Sequence, residues 1–546
     1  MGRELQSLDY VVFLIYFLIV AGYGYWIYRQ KKSAEASAKD FFLAEGSLTW
    51  WAIGASLIAS NISAEQFVGM SGSGFAMGLA IASYEWMAAA TLLVVAVFFL
   101  PIYLKNKIYA MPQFLAQRFS PLVATIMAVF WLLVYVFVNL TSILYLGALA
   151  VSTISGLGFQ TCSIGLCVFA VIITLGGMKV IGYTDVIQVL VLILGGLATT
   201  YLALDLVAQH FDGSGAMQGL ALLREKAADH FHMIFQPGQM MMPDGKGGME
   251  DAYGKLPGLA VIVGAMWIAN LNYWGFNQYI TQRALGADLP TARSGLLFAA
   301  FLKLLMPVIV VLPGIAAYLL YREGQFQSEM MQGGVVVPDK AYPVLLNLLP
   351  VGLKGLSFAA LTAAIVASLA GKANSISTIF TLDLYKKYFN TTADEATQVR
   401  VGRVVIIVAM LIGVLVAPAL KNFGQAFQFI QDFTGLISPG VVAIFLMGFF
   451  WKKTTANAAL AGALATIPTG LLLQNLMSGL PFLHRMGWVF VILVALMALV
   501  SMLDKRGQRE VRSIEVHPSM FRTSPGFTLG MVLVLGVISA LYFVFW

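Results

Sequence analysis

The sequence predicts an all-α integral membrane protein of about fourteen transmembrane helices, ten of them forming two inverted copies of a five-helix unit. Three observations predict it. Of 546 residues, 59% are hydrophobic and only 11% charged, whereas a soluble domain carries roughly a quarter charged residues. Apolar runs of roughly 20 residues, enough to cross ~30 Å of hydrocarbon, recur from end to end. The lengths and polar interruptions of those runs repeat once along the chain.

The runs fall at about 9–28, 47–70, 78–102, 120–152, 160–176, 182–206, 257–278, 296–320, 351–384, 401–419, 425–450, 456–474, 486–503 and 526–546. They leave no room for a large soluble domain, so the chain reads as a single transmembrane unit over 1–546. The first run is too long for a removable signal peptide. Runs two to six are polar-interrupted, long, very long, short and long, and runs seven to eleven repeat that order. Five is odd, so the second copy (257–450) lies upside down relative to the first (47–206). Run 9–28 precedes the pair, and three further helices (456–546) follow it.

Lys and Arg accumulate in cytoplasmic loops. With the N-terminus placed outside, the inner loops hold 21 of the 33 basic residues and the outer loops 10. Both termini then face outward. The other two, Lys303 and Lys372, fall within spans. The net charge of +7 thus follows from topology and implies no nucleic-acid partner. Cys162 and Cys167 have no metal-motif spacing and read as small core residues. All five histidines fall in predicted loops, with His230 and His232 as a solvated pair.

Two of the runs are interrupted by polar residues. Residues 58–70, "IASNISAEQFVGM", place Asn61, Ser63, Glu65 and Gln66 within an apolar segment, and the corresponding place in the second copy reads "WIANLNYWGFNQ", 267–278. A helix that unwinds inside the membrane frees carbonyl oxygens, which is tolerated only where they line a cavity or meet an ion. Paired broken helices in inverted repeats form the substrate and ion sites of secondary transporters. Against this stands the simpler reading that Ser and Asn hydrogen-bond neighbouring helices. Asn270, Tyr273, Trp274 and Asn277 follow i, i+3, i+4, i+7 and are expected on one helical face. Glu85 and Lys303 are ionisable groups inside spans, each a candidate for a site or for a structural ion pair. Asp185 could cap a helix at its cytoplasmic end.

"ASLIASNISAEQFVGMSGSG", "FVNLTSILYLG", "ANLNYWGFNQY", "NSISTIFTLDLY" and "FQFIQDFTGLISPG" resemble the sodium/solute symporter family, in its sugar branch. The resemblance runs collinearly over nearly the whole chain and is weakest at 207–256 and 322–348. It implies the LeuT-like fold, the inner membrane of a bacterium, and sodium-coupled import of a hexose such as galactose or glucose by alternating access, without enzymatic activity. Another small organic solute, or a membrane sugar sensor without transport, are the alternatives. By the same resemblance Gln66, Glu85, Asn270, Lys303 and Gln431 bind the sugar, with Asn61, Asn139 and Asn277 beside them. Amides suit a neutral polyol, because each offers donors and an acceptor without charge. Tyr273 and Trp274 correspond to the inner gate, and Met70, Tyr84 and Phe427 to the outer lid. The backbone of Ala59, Ile62 and Ala364 and the hydroxyl of Ser368 correspond to Na+ ligands, with Asp185 on the sodium exit path. Oxygen ligands are what a hard cation requires. The chain departs from its relatives at Ala367 and Ala88, where they carry serines, at Asn272, where they carry a tyrosine, and at Lys372.

Overall fold

The computed structural model describes residues 5–30, 49–108, 110–175, 178–244, 247–422 and 426–546. Among them, ten helices are long and apolar enough to cross a membrane, including Pro121–Ser155, Leu289–Arg322, Leu353–Phe389 and Phe482–Leu503. Ser7–Gln30 and Phe159–Thr174 are further apolar helices. The chain is a multi-pass membrane protein. Strands among the described residues are two short hairpins, Met241–Pro243 with Met249–Asp251 and Met331–Gln332 with Val335–Val336. Both lie in the segments outside the apolar runs.

The polar interruption at residue 61 breaks its helix. Trp50–Asn61 ends where Ile62 turns extended (φ −73°, ψ 101°). Ser63 Oγ then accepts from the Glu65 amide at 3.1 Å, the local bonding by which serine competes with helical backbone. The chain restarts as a π-helical turn, Glu65–Met70, and continues as Ser71–Met77. π-Turns of this kind concentrate at functional sites. It then reverses at Gly78, whose φ of +70° favours glycine and whose position leaves no room for a Cβ against the His230 carbonyl.

The second interruption also breaks its helix, but nearer the end. Met266–Gly275 stops at Phe276, and Asn277 caps the next helix, Gln278–Leu285, by accepting from the Tyr279 amide at 3.1 Å. The expected single face of Asn270, Tyr273, Trp274 and Asn277 is therefore corrected: the first three share a helix, and Asn277 lies beyond its end.

Leu289–Arg322 runs alongside both halves of the first broken helix. A Cβ on Gly295 would meet Ile53, and one on Gly314 would lie 2.1 Å from the Ser71 carbonyl. Residue numbers rise together along the contact, so the two run parallel. Small residues permit this backbone approach where no hydrophobic force drives helices together.

Loop contacts sort the ends of the helices into two faces. On one, Asp9 accepts from the Gly352 and Gly355 amides at the start of Leu353–Thr378, which supplies that helix with acceptors for its free N–H groups. The Met233 amide donates to the Phe545 carbonyl at 2.7 Å, so the C-terminal helix ends against the 211–256 segment. On the other face the buried Arg118 donates to the carbonyls of Gly448, Trp451 and Thr454. Arg293 does the same for Ala96, Met520 and Arg522.

The histidine reading needs correction. His230 is 2% exposed, stacks on Tyr318 at 3.7 Å and reaches the Phe75 carbonyl at 3.2 Å, while His232 alone is solvated. His210 ends a helix and His484 lies within one. Loop composition concealed His230 because its burial comes from partners distant in sequence. Cys162 and Cys167 are buried free thiols in Phe159–Thr174.

Candidate functional site

The two breaks face one cavity. It is lined by all eight proposed sugar residues, Asn61, Gln66, Glu85, Asn139, Asn270, Asn277, Lys303 and Gln431, and by Met70, Tyr84, Tyr273, Trp274 and Phe427. Residues more than 350 positions apart in sequence thus meet in one place.

Lys303 and Glu85 form a salt bridge, and Lys303 also donates to the side-chain oxygen of Asn61. Its ammonium lies 5.1 Å from the centre of the Trp274 ring. Both charges are almost wholly buried. A buried ion pair is tolerable when each partner also meets polar groups, and here the pair forms part of the cavity wall. Asn61 donates to the Tyr273 hydroxyl at 3.2 Å, so the first break is tied to the proposed gate. Asn277 accepts from the Tyr135 hydroxyl. Asn270 donates to the Met266 carbonyl at 3.1 Å. Gln66 turns its side-chain oxygen back toward the Ser63 amide at 3.4 Å. Tyr84 and Phe427 line the cavity packed edge to face at 5.2 Å, and Met70 lines it as well. So do Tyr273 and Trp274, 5.1 Å apart.

The residues expected to hold sodium lie next to the first break. Ser368 Oγ approaches the Ile62 carbonyl at 3.5 Å, and Ile62 is where the helix ends and carbonyls are freed. Ala59 sits in the last turn before it. Ala364 is one turn before Ser368 on Leu353–Thr378. Carbonyl and hydroxyl oxygens at a helix end fit a hard monovalent cation. Gly371, also on that face, packs its backbone against the Tyr279 ring.

Asp185 does not cap a helix. It lies inside Met178–His210, 1% exposed, and accepts from Ser56 Oγ at 2.8 Å. Arg283 donates to the same hydroxyl at 2.9 Å and stands 3.9 Å from the carboxylate. Arg283 belongs to the helix after the second break and Ser56 to the helix before the first, so the cluster joins the two on the side of Tyr273.

Several lining residues were not expected. Glu65, with a buried oxygen lacking a hydrogen-bond partner, lines the cavity, as do Asn272, Thr434 and Ser438. Asn272 donates to Ser438 Oγ at 2.9 Å. Gln431, Thr434 and Ser438 follow i, i+3, i+7, so helical spacing alone could have added the last two. Tyr279, whose hydroxyl donates to the Ser60 carbonyl at 2.7 Å, carried no signal in the sequence.

The profile of the sodium:solute symporter family matches residues 41–466. The chain belongs to this family. The family couples solutes to sodium, and the chain is a transporter of that kind rather than an enzyme. It is 45% identical over 552 residues to the sodium/glucose cotransporter of Vibrio parahaemolyticus, covering 99% of each chain. It is 33% identical over 496 residues to human sodium/myo-inositol cotransporter 2, covering 86% of this chain and 70% of that protein. Its fold matches that of a substrate-bound, outward-open Na+-coupled sialic acid symporter with a TM-score of 0.75 at 21% identity, covering 91% of this chain and 98% of the other.

Proposed function

We propose that the chain imports a hexose such as glucose or galactose together with sodium, by alternating access. The observation that carries this reading is the cavity between the two breaks. It gathers seven neutral amides, Asn61, Gln66, Asn139, Asn270, Asn272, Asn277 and Gln431, and one mutually compensating Glu85–Lys303 pair, with aromatic residues on either side. Such a set offers many hydrogen bonds and little net charge, which suits a polyol. Full-length similarity to a sodium/glucose cotransporter supports the same substrate class. Gln66, Gln431, Asn270, Glu85 and Lys303 would bind the sugar, with Asn61, Asn139 and Asn277 supporting them. Tyr273 and Trp274 would close the inner path and Met70, Tyr84 and Phe427 the outer one. Sodium would sit among Ala59, Ile62, Ala364 and Ser368 and leave past Asp185.

In this reading fourteen spans cross the inner membrane of a bacterium, with a five-plus-five inverted repeat at their centre. The face holding both chain ends is extracellular, because the opposite face carries most of the basic residues. The direct test is uptake of labelled glucose, galactose and myo-inositol into proteoliposomes with and without an inward sodium gradient. Sodium-stimulated hexose uptake is expected. Uptake of inositol in preference to either hexose would change the substrate, and uptake indifferent to sodium would remove the coupling.

A further inference from the structure

Lys372 is a buried charge to which the assignments of the sugar and sodium sites give no role. It is 2% exposed and lies on Leu353–Thr378 at i+4 from Ser368, hence one turn further along the same helical face. Among the described residues no carboxylate is within salt-bridge distance of it. Its ammonium lies instead over three rings, at 4.3 Å from Tyr279, 5.0 Å from Tyr135 and 5.7 Å from Tyr273. It donates one hydrogen bond, to the Asn139 side-chain oxygen at 3.3 Å. Aromatic faces attract a desolvated cation. An ionisable group this deep in a span is costly and calls for a functional account.

The position of the cage supplies that account. Tyr279, the nearest ring, bonds the Ser60 carbonyl in the last turn of the first broken helix, between Ala59 and Ile62. Ser368, one turn away, approaches the Ile62 carbonyl. The ammonium therefore lies over the ring that bonds the turn carrying the oxygens proposed for sodium, one helical turn from Ser368. A carboxylate partner at contact distance would cancel its charge as seen from the sodium site. Rings and a neutral amide hold the charge without cancelling it. Glu65 attracts it from further off and Arg283 repels it.

Resting on the sodium reading above, we propose that Lys372 is a tethered cation that weakens sodium binding and so sets how readily sodium is released. It is a positioning residue acting on the ion through space. In an effective dielectric of ~20, two unit charges ~10 Å apart already repel enough to change a dissociation constant by roughly tenfold.

The test is equilibrium titration of the purified full-length protein with sodium chloride at constant ionic strength, read by intrinsic tryptophan fluorescence and by binding of labelled glucose. Lys372→Met removes the charge and keeps an unbranched chain one atom shorter, whose sulfur suits the aromatic surroundings. The half-saturating sodium concentration is expected to fall by roughly tenfold in this variant. Lys372→Arg, which keeps the charge, is expected to titrate like the parent. Glucose affinity at saturating sodium should change little in either. Should Lys372→Met fail to yield a monodisperse protein, Lys372→Gln replaces it with the same expectation. Equal sodium titration of parent and neutral variants, or weaker sodium binding by the latter, would overturn the proposal while leaving sodium coupling standing. A parent that binds glucose without any response to sodium would overturn both.

Discussion

Each polar side chain of the cavity carries a separate expectation. Gln66 and Gln431 line it without being consumed by the ion pair. Losing one partner of a buried polar contact costs ~1–3 kcal/mol. Gln66→Ala or Gln431→Ala should therefore weaken sugar binding by roughly 5- to 150-fold without unfolding the protein, as equilibrium binding of labelled sugar would measure. Tyr273 offers a ring and a hydroxyl that separate by mutation. Tyr273→Phe loses only the hydrogen bond from Asn61 and should retain much of the transport, whereas Tyr273→Ala removes the apolar face and should abolish it. Comparable uptake by the two variants would deny the ring a gating role. For Glu85 and Lys303, a single neutralisation leaves the other charge buried and unpaired, at a cost of ~3–5 kcal/mol. Glu85→Gln should lower the melting temperature more than the double variant Glu85→Gln/Lys303→Met does, and the reverse order would show that the pair is not what stabilises the wall.

At the scale of elements, both breaks were legible because polar residues interrupt otherwise apolar runs. The consequences of each break were less so. Asn61 and Ser63 mark the first one directly, and local serine bonding explains the restart at Glu65. The second comes at Phe276, an apolar residue inside the polar stretch, and its exact place is fixed by Asn277, which caps the helix that follows. Helix spacing presumed continuity there and so put Asn277 on the wrong element, although it reaches the same cavity. The approach of Leu289–Arg322 to the first broken helix gives a test of packing. Gly314 has no room for a Cβ beside the Ser71 carbonyl, so Gly314→Ala should destabilise the protein by ~1–3 kcal/mol through overpacking. Thermal unfolding in detergent should show a clear fall in midpoint, and an unchanged midpoint would mean that the helices separate without cost.

For the whole molecule, the reading of one sodium moved per sugar carries a prediction about how far the sugar can be concentrated. One charge crossing ~100 mV contributes ~2.3 kcal/mol, and a tenfold sodium gradient adds ~1.4. Together they support roughly 500-fold accumulation of sugar. Ala367, on the face that carries Ser368, supplies no hydroxyl to the proposed ion site. Ala367→Ser should lower the sodium concentration for half-maximal uptake and leave the order of preference among sugars unchanged. Uptake kinetics at graded sodium would show this, and a raised requirement would place Ala367 outside the ion site.

The sequence alone determined that the chain is helical and membrane-embedded, and that two of its apolar runs are interrupted by polar residues, because hydrocarbon tolerates only apolar, internally bonded segments. Resemblance to a family further named the residues that prove to share a cavity. Tertiary structure decided which groups neutralise or support one another. Composition cannot reveal that His230 is buried under Tyr318, that Asp185 answers Ser56 and Arg283, or that Lys372 is held by three tyrosine rings. Each of these depends on partners brought together from distant parts of the chain. A periodic pattern reports only the side of a helix that is apolar, while a charge inside a membrane is explained by what stands opposite it.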